Sequence, residues 1–295
     1  MLQRLRPLVA AVLTLVGTTL GAVPASAATA PPTPTLVGIR AAHHTGYDRL
    51  VFDFHGGLPS RITTGYVGEL LGDGSGLPVP LPGQAKLQIR FEGTDAHDEA
   101  GAPTAPGALA LPLPNAMSLV RAGDYEAVTT YGVGLALRQP YRVFTLRSPD
   151  RVVLDVDAAF RTVNRQVWFF DEGRFVRNTP PFVVPVLRPV LPGTPATGVS
   201  DRLFAGPTAA EAARGLRFLP SGATGYRGLS ITGGTARIQL TGGCSSGGST
   251  VSIAGQLLPT LRQFPTVQAV KIFDPAGSTQ NPTGPHDSIP DCLEP

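Results

Sequence analysis

The sequence predicts an α+β protein, with a strand-rich first half and helices confined to the second. Three observations predict it. Charged residues are 15% and apolar residues 42% of the 295, against roughly 25% charged in average soluble chains. A hydrophobic core is therefore expected, and a highly charged disordered chain is excluded. The 35 glycines and 30 prolines lack a three-residue period and punctuate nearly every segment, which excludes collagen and a long coiled coil. Short alternating apolar runs fill the chain to about residue 160, and helical spacing enters only later.

Residues 1–27 read as an export signal. Arg4 and Arg6 precede an apolar run from Leu8 to Val23, and Ala25-Ser26-Ala27 offers an A-x-A cleavage site. Gly17, Thr18, Thr19 and Gly21 interrupt the run, so it would anchor poorly in a membrane. Cleavage removes two of the 24 basic residues and leaves 22 against 21 acidic ones, a net charge of about +1. No later Lys/Arg block suits a nucleic-acid arm or a polybasic membrane patch. No second long apolar run follows, and no cysteine stands at the cleavage site for lipid attachment. The expectation is a secreted, extracytoplasmic, cell-wall-associated protein with no nucleic-acid partner and no membrane anchor after signal cleavage. Residues 28–35 form an extended leader.

The first half then reads as strands. Leu50 to Phe54 puts Phe52 and Phe54 on one face, with Val51 and Asp53 on the other, after a turn at Tyr47-Asp48. Leu87, Ile89 and Phe91 share a face. Tyr125 to Leu137 carries β-formers broken by Gly132 and Gly134. Tyr141 to Leu146, Ser148-Pro149-Asp150 and Arg151 to Val156 read as strand, turn, strand. Two Gly/Pro-rich inserts, 68–84 and 93–115, are long enough to carry function, or are low-constraint filler.

In the second half, Val167 to Phe170 is an apolar strand followed by a turn at Asp171-Glu172-Gly173. Phe182 to Val190 is strand-like but carries Pro185 and Pro189. Thr194 to Phe204 is a candidate helix. Thr208 with Glu211 forms a capping box for another that ends by Gly215. Ser230-Ile231 and Ala236 to Leu240 flank Gly233-Gly234 as a hairpin. Thr250 to Phe264 has helical apolar spacing, with a bend expected at Pro259. Val267 to Phe273 closes as a strand.

Cys244 and Cys292 are the two cysteines. In an exported chain they favour a disulfide over two free thiols or a metal pair. A loop of that length stabilises by roughly 4 kcal/mol in the chain-entropy account, and the bond would staple the tail, residues 278–295.

The first half resembles the AMIN-like domain of actinobacterial secreted proteins. The resemblance rests on GYDRLVFDF (Gly46 to Phe54), Ser60-Arg61-Ile62 leading to Gly65-Tyr66-Val67, and YRVFTL with PDRVVLDV. The second half resembles a GerMN domain of sporulation and germination proteins, through VWFFDEGRF, FAGPTAAEAARGL, FLPSG, ARIQLTGG and QLLPTLRQFPTVQAVKIFDPAG. The resemblance implies an all-β AMIN-like domain over 36–160, then an α+β GerMN domain over 161–277 with two helices packed on a small sheet. It also implies binding of peptidoglycan or an envelope partner without catalysis. The two inserts, and the missing lipid-attachment cysteine, depart from the relatives.

One catalytic motif matches formally. Gly243-Cys244-Ser245-Ser246-Gly247 is G-x-S-x-G between a strand and a helix, and Asp274 and His286 follow in Ser…Asp…His order. Too few residues follow Ser245 for the later strands of a hydrolase sheet, and a hairpin strand is not a central parallel one. A Gly/Ser loop carrying a disulfide is favoured. Zinc chemistry lacks converging histidines: His43 and His44 are adjacent and would face opposite ways, and His55, His97 and His286 are scattered. The run Asp95 to Glu99 suits a cation or a solvated loop, and Asp274, Asp287 and Asp291 offer a weaker calcium reading. For ligands, Tyr47, Tyr66, Tyr125, Tyr131 and Tyr141 with Arg40, Arg49 and Arg61 suit sugar stacking and carboxylate pairing, or ordinary packing. The expected function is a secreted, non-catalytic cell-envelope protein without cofactor or metal that binds cell-wall polymer or an envelope protein. The competing reading is a small secreted serine hydrolase using Ser245.

Overall fold

The alternating runs of the first half build two antiparallel sheets. In the computed structural model, residues 33–295 are described; the expected export signal lies outside the described residues. The strands are β1 (Thr35–His44), β2 (Tyr47–His55), β3 (Arg61–Val67), β4 (Ala85–Glu92), β5 (Ala108–Ala110), β6 (Ala116–Tyr125), β7 (Val128–Leu135), β8 (Tyr141–Leu146) and β9 (Arg151–Asp157). One sheet has the order β1-β2-β9-β8 and the other β3-β4-β7-β6-β5. Leu50, Phe52 and Phe54 of the first sheet meet Leu87, Ile89, Phe91 and Tyr131 of the second in one core. Phe91 stands edge-to-face with both Phe52 and Phe54, at 5.0 and 5.3 Å. The turn expected at Tyr47-Asp48 lies at Thr45-Gly46 instead, and Tyr47 opens β2.

Gly132 and Gly134 do not break their strand; both lie inside β7. A Cβ on Gly134 would stand 1.8 Å from the Pro82 carbonyl oxygen, and one on Gly132 2.5 Å from Leu70. The glycines are a landing strip for the 68–84 insert, which lies across the sheet as a strap. Leu70 and Leu81 are buried beneath it. The Ser118 hydroxyl donates to the Pro82 carbonyl at 3.0 Å, and the Gln84 N–H to the Leu135 carbonyl at 2.8 Å. The second insert is also packed: it supplies β5, and Leu111 and Leu113 enter the core.

The second half contains β10 (Val163–Asp171), α1 (Glu172–Val176), β11 (Val183–Val190), α2 (Pro195–Ala205), α3 (Ala209–Ala213), β12 (Leu216–Arg217), β13 (Ala223–Thr232), β14 (Thr235–Gly242), α4 (Ala254–Arg262) and β15 (Ala269–Phe273). They form two three-stranded sheets, β11-β10-β12 and β13-β14-β15. β14 and β15 run parallel, with α4 in the crossover a parallel pair requires. Val199 and Leu203 of α2 and Leu257 and Leu261 of α4 bury against Phe169, Ile238 and Ile272. The turn expected at Asp171 to Gly173 is instead the start of α1: the Asp171 carboxylate accepts the Arg174 N–H at 2.9 Å as an N-cap. Pro185 and Pro189 are tolerated because β11 is an edge strand. The helix expected from Thr250 begins only at Ala254, and it runs through Pro259.

The capping box at α3 is present, and Glu211 serves twice. Its carboxylate accepts the Thr208 N–H at 2.8 Å and pairs with the Arg188 guanidinium. Burial pushes that carboxyl up, but Arg188 and Thr208 outweigh it, and the net shift is downward.

Residues Thr33–Pro295 cluster as one unit, and Arg202 of α2 shows what joins its halves. Arg202 is buried and donates to the carbonyls of Leu111, at 2.5 Å, and of Leu113. Burial pushes its pKa down to about 9, which leaves it charged at neutral pH. The receiving loop is pinned from below by Asp48, whose buried carboxylate accepts the N–H groups of Asn115 and Ala116 at 2.7 and 2.8 Å. Asp201 joins the halves a second time, accepting from Gln84 of the strap and Tyr226 of β13, both at 2.8 Å.

Candidate functional site

Strand alternation turns the odd-numbered residues of β2 and β9 and the even-numbered residues of β8 away from the core. Across β2-β9-β8, register places Asp155 opposite both Arg49 and Arg142. Arg49 donates Nε and Nη2 to the two carboxylate oxygens at 2.7 and 2.8 Å, and Arg142 adds Nε at 2.9 Å. Burial pushes the Asp155 carboxyl up, but the two guanidinium groups outweigh it and hold it below its ordinary value. The Asp155 hydrogen bond in turn raises Arg49.

Two aromatic rings complete the face. The Arg49 guanidinium lies 5.2 Å from the Tyr47 ring centre and 5.6 Å from that of Phe144; Arg142 lies 5.8 and 5.4 Å from the same rings. His44 stacks on Tyr47 at 5.0 Å. Asp155 is buried while the Arg142 side chain is 66% exposed. Two cations share one anion, so the face keeps one positive charge beside aromatic surface. That combination can pair with a carboxylate and stack a sugar ring.

The other aromatic candidates part ways. Tyr131 is core: its hydroxyl donates to Pro106 at 2.9 Å, and burial pushes its pKa up to about 12. Tyr66 and Tyr141 meet edge-to-face, with Arg138 4.6 Å from the Tyr66 ring centre. Tyr125 is 70% exposed. Arg40 pairs with Asp53 at 3.0 Å, and Arg61 opens β3. Arg142, Phe144 and Asp155 are not among the candidates the single residues suggest, although the alternation of YRVFTL and RVVLDV carries the signal that places them together.

Ser245, Asp274 and His286 are not joined by any hydrogen bond among the described residues. The Ser245 hydroxyl accepts the Gly247 N–H at 3.1 Å, Asp274 accepts the Ser278 N–H at 2.8 Å, and His286 is exposed. Cys244 and Cys292 are bonded to each other. The loop around His97 is organised by Asp124, which accepts from the Ala96 N–H, His97, Thr129 and Arg121. Asp95 joins His97 and Asp124 within 4.8 Å, yet the Asp124 oxygens are taken by these protein donors, a guanidinium among them. Asp287 accepts the Val270 N–H at 2.9 Å and pairs with Arg262, while Asp291 starts a terminal turn. His43 bonds the buried Asp48 at 2.8 Å.

Fold and site together define a β-sandwich with a charged aromatic outer face, joined to an α+β domain of two sheets and two packed helices. Residues 34–158 match the AMIN-like domain family, and residues 166–273 match the family described as sporulation and spore germination. The chain therefore carries an AMIN-like domain followed by a germination-type, or Germane, domain. An AMIN-like domain suggests an envelope-associated role. No curated protein and no solved structure matches the chain. Among the described residues, no helix is long and apolar enough to cross a membrane.

Proposed function

We propose that this is a secreted, non-catalytic envelope protein that binds cell-wall polymer through the outer face of β2-β9-β8. The observation that carries the reading is the Arg49–Asp155–Arg142 bridge set against Tyr47 and Phe144. Asp155 fixes both guanidinium groups in place and neutralises only one, leaving a preorganised positive site between two rings. The separate local bonding of Ser245 and Asp274 supports a non-catalytic role.

Pelleting with purified sacculi tests the binding. The secreted chain is expected to co-sediment, and the Arg142→Ala/Tyr47→Ala double variant to lose about tenfold or more in affinity. No enrichment of the wild type over an unrelated protein would overturn the reading. N-terminal sequencing of protein from the medium is expected to begin at Ala28. Labelling by a fluorophosphonate probe that disappears in Ser245→Ala would establish a hydrolase instead.

A further inference from the structure

A groove opens where the two halves meet, between the strap and β13. It consists of two hollows of about 570 and 400 Å3. The hollows share Pro80 and Pro82 on one wall and Phe204 and Thr224 on the other, so they join at a waist. The groove continues the seam that Arg202 and the Gln84–Asp201 bond hold closed.

Two free strand edges line it, one from each half. Among the described residues, β13 is the outermost strand of its sheet, paired only with β14, and its residues 224–227 line one hollow. β5 is, among the described residues, the outermost strand of the five-stranded sheet, paired only with β6, and its residues 108–110 line the other. An edge strand presents unpaired N–H and C=O groups at the repeat of an extended chain. The prolines opposite offer rigid walls and no competing N–H. Past the waist the lining is apolar, with Leu109, Pro207 and Phe218. On the near side Lys86 and Arg227 stand with Glu69. Asp201, also there, is already bonded to Gln84 and Tyr226 and has Arg202 beside it in the chain. Arg227 already donates to Gln239 and to the Pro275 carbonyl, and Lys86 forms no salt bridge among the described residues, so Lys86 is the cation left to meet a ligand.

We propose that this groove binds an extended polypeptide segment of a partner protein. Small apolar side chains occupy the Leu109–Phe218 end, and an acidic residue meets Lys86. Main-chain pairing to β13 and β5 supplies the register. A glycan strand matches the edges poorly, because it lacks a regular series of main-chain amides. The site needs both halves, and it shares no residue with the Arg49–Arg142 face, so wall binding and groove binding stand or fall separately.

The test pans a displayed random peptide library against the full secreted chain and measures selected peptides by fluorescence anisotropy. Thr224 is exposed, so Thr224→Trp plugs the waist from a site that tolerates bulk, and Lys86→Glu reverses the end charge. Selected peptides are expected to carry Asp or Glu and to bind each variant about tenfold or more weakly. They are also expected to shift the backbone amide resonances of residues 108–110 and 224–227. Failure to enrich any peptide overturns the proposal, as does equal binding to Thr224→Trp. An N-acetylglucosamine oligomer that shifts those amides where selected peptides do not would overturn it as well.

Discussion

The guanidinium of Arg202 donates to the carbonyl of Leu111 at 2.5 Å, across the seam between the two halves and 91 residues away in sequence. Among the described residues, no carboxylate forms a salt bridge with it. The charge is met instead by main-chain carbonyls whose loop is fixed by Asp48. The two halves are thus coupled through a desolvated cation whose hydrogen-bond acceptors lie on the other half.

Arg202→Met removes that coupling while keeping most of the volume. It leaves buried carbonyls unpaired, and we expect a loss of about 3 kcal/mol. Arg202→Lys restores only part, because an ammonium lacks the planar fork that spans two carbonyls. Urea denaturation followed by Trp168 fluorescence and by circular dichroism should turn from one transition to two. Curves that overlay those of the wild type would show that the seam does not depend on Arg202.

Gly134 tests the seating of the strap. A methyl group there meets the Pro82 carbonyl oxygen at 1.8 Å, whereas one at Gly65 of β3 meets nothing within 4 Å. Gly134→Ala should cost about 1–3 kcal/mol and open the 68–84 segment to limited proteolysis. Gly65→Ala should change the cutting pattern little. Equal protection of the strap in both variants would remove the landing-strip role.

Those glycines also mark where the sequence was hard to read. Phe52 and Phe54, the Thr208–Glu211 capping box and α2 were legible because each signal is local: a two-residue period, a three-residue spacing, a run of helical apolar positions. Gly132 and Gly134 read as breaks because what they accommodate, Leu70 and Pro82, arrives from more than fifty residues earlier. The Gly/Pro-rich strap reads as a functional loop or as filler for the same reason: its partners are distant. Asp171 read as a turn because a short helix has little periodicity to display, although its carboxylate three residues before Arg174 is a capping signal. The outer face was half legible. Tyr47 and Arg49 stood out singly, but cross-strand register was needed to set Arg142 opposite Asp155.

Asp201 gives the fold a pH dependence of definite sign. Burial pushes its carboxyl up, against the pull of Gln84, Tyr226 and Arg202. A folded pKa above the unfolded value, about 3.9, means that this contribution to stability is full below the unfolded value and is lost as pH rises through the folded one. Asp201→Asn cannot titrate. Its stability relative to wild type should therefore climb as pH rises from below about 4 through the raised value, then level off. Asp155 and Glu211, held low by their arginines, slope the other way but cancel in the difference. A difference that stays flat with pH in parallel urea titrations would contradict a raised Asp201.

The C-terminal tail covers a buried cation, and the disulfide keeps it there. Lys271 of β15 is fully buried, and its ammonium donates to the carbonyls of Asn281 at 2.6 Å and Thr283 at 3.0 Å. Ser288 then bonds the β15 backbone on both sides: the Ile272 N–H donates to its carbonyl at 2.9 Å, and its own N–H donates to Val270 at 3.0 Å. The tail thus closes the free edge of the sheet and supplies the only carbonyls that reach the Lys271 ammonium among the described residues. Without Cys244–Cys292, across a separation of 48 residues, the unfolded chain regains loop entropy worth roughly 4 kcal/mol. Detachment of the tail would also bring water to Lys271. Cys244→Ser/Cys292→Ser should therefore lower stability by about that amount and release residues 278–295 to proteolysis before the rest of the chain. Lys271→Met in the oxidised protein separates the two effects: it strands two carbonyls, at about 1–3 kcal/mol, but leaves the tail stapled and protease-resistant. If the reduced and oxidised proteins were cut at the tail at equal rates, the staple would have no part in holding that cover over Lys271.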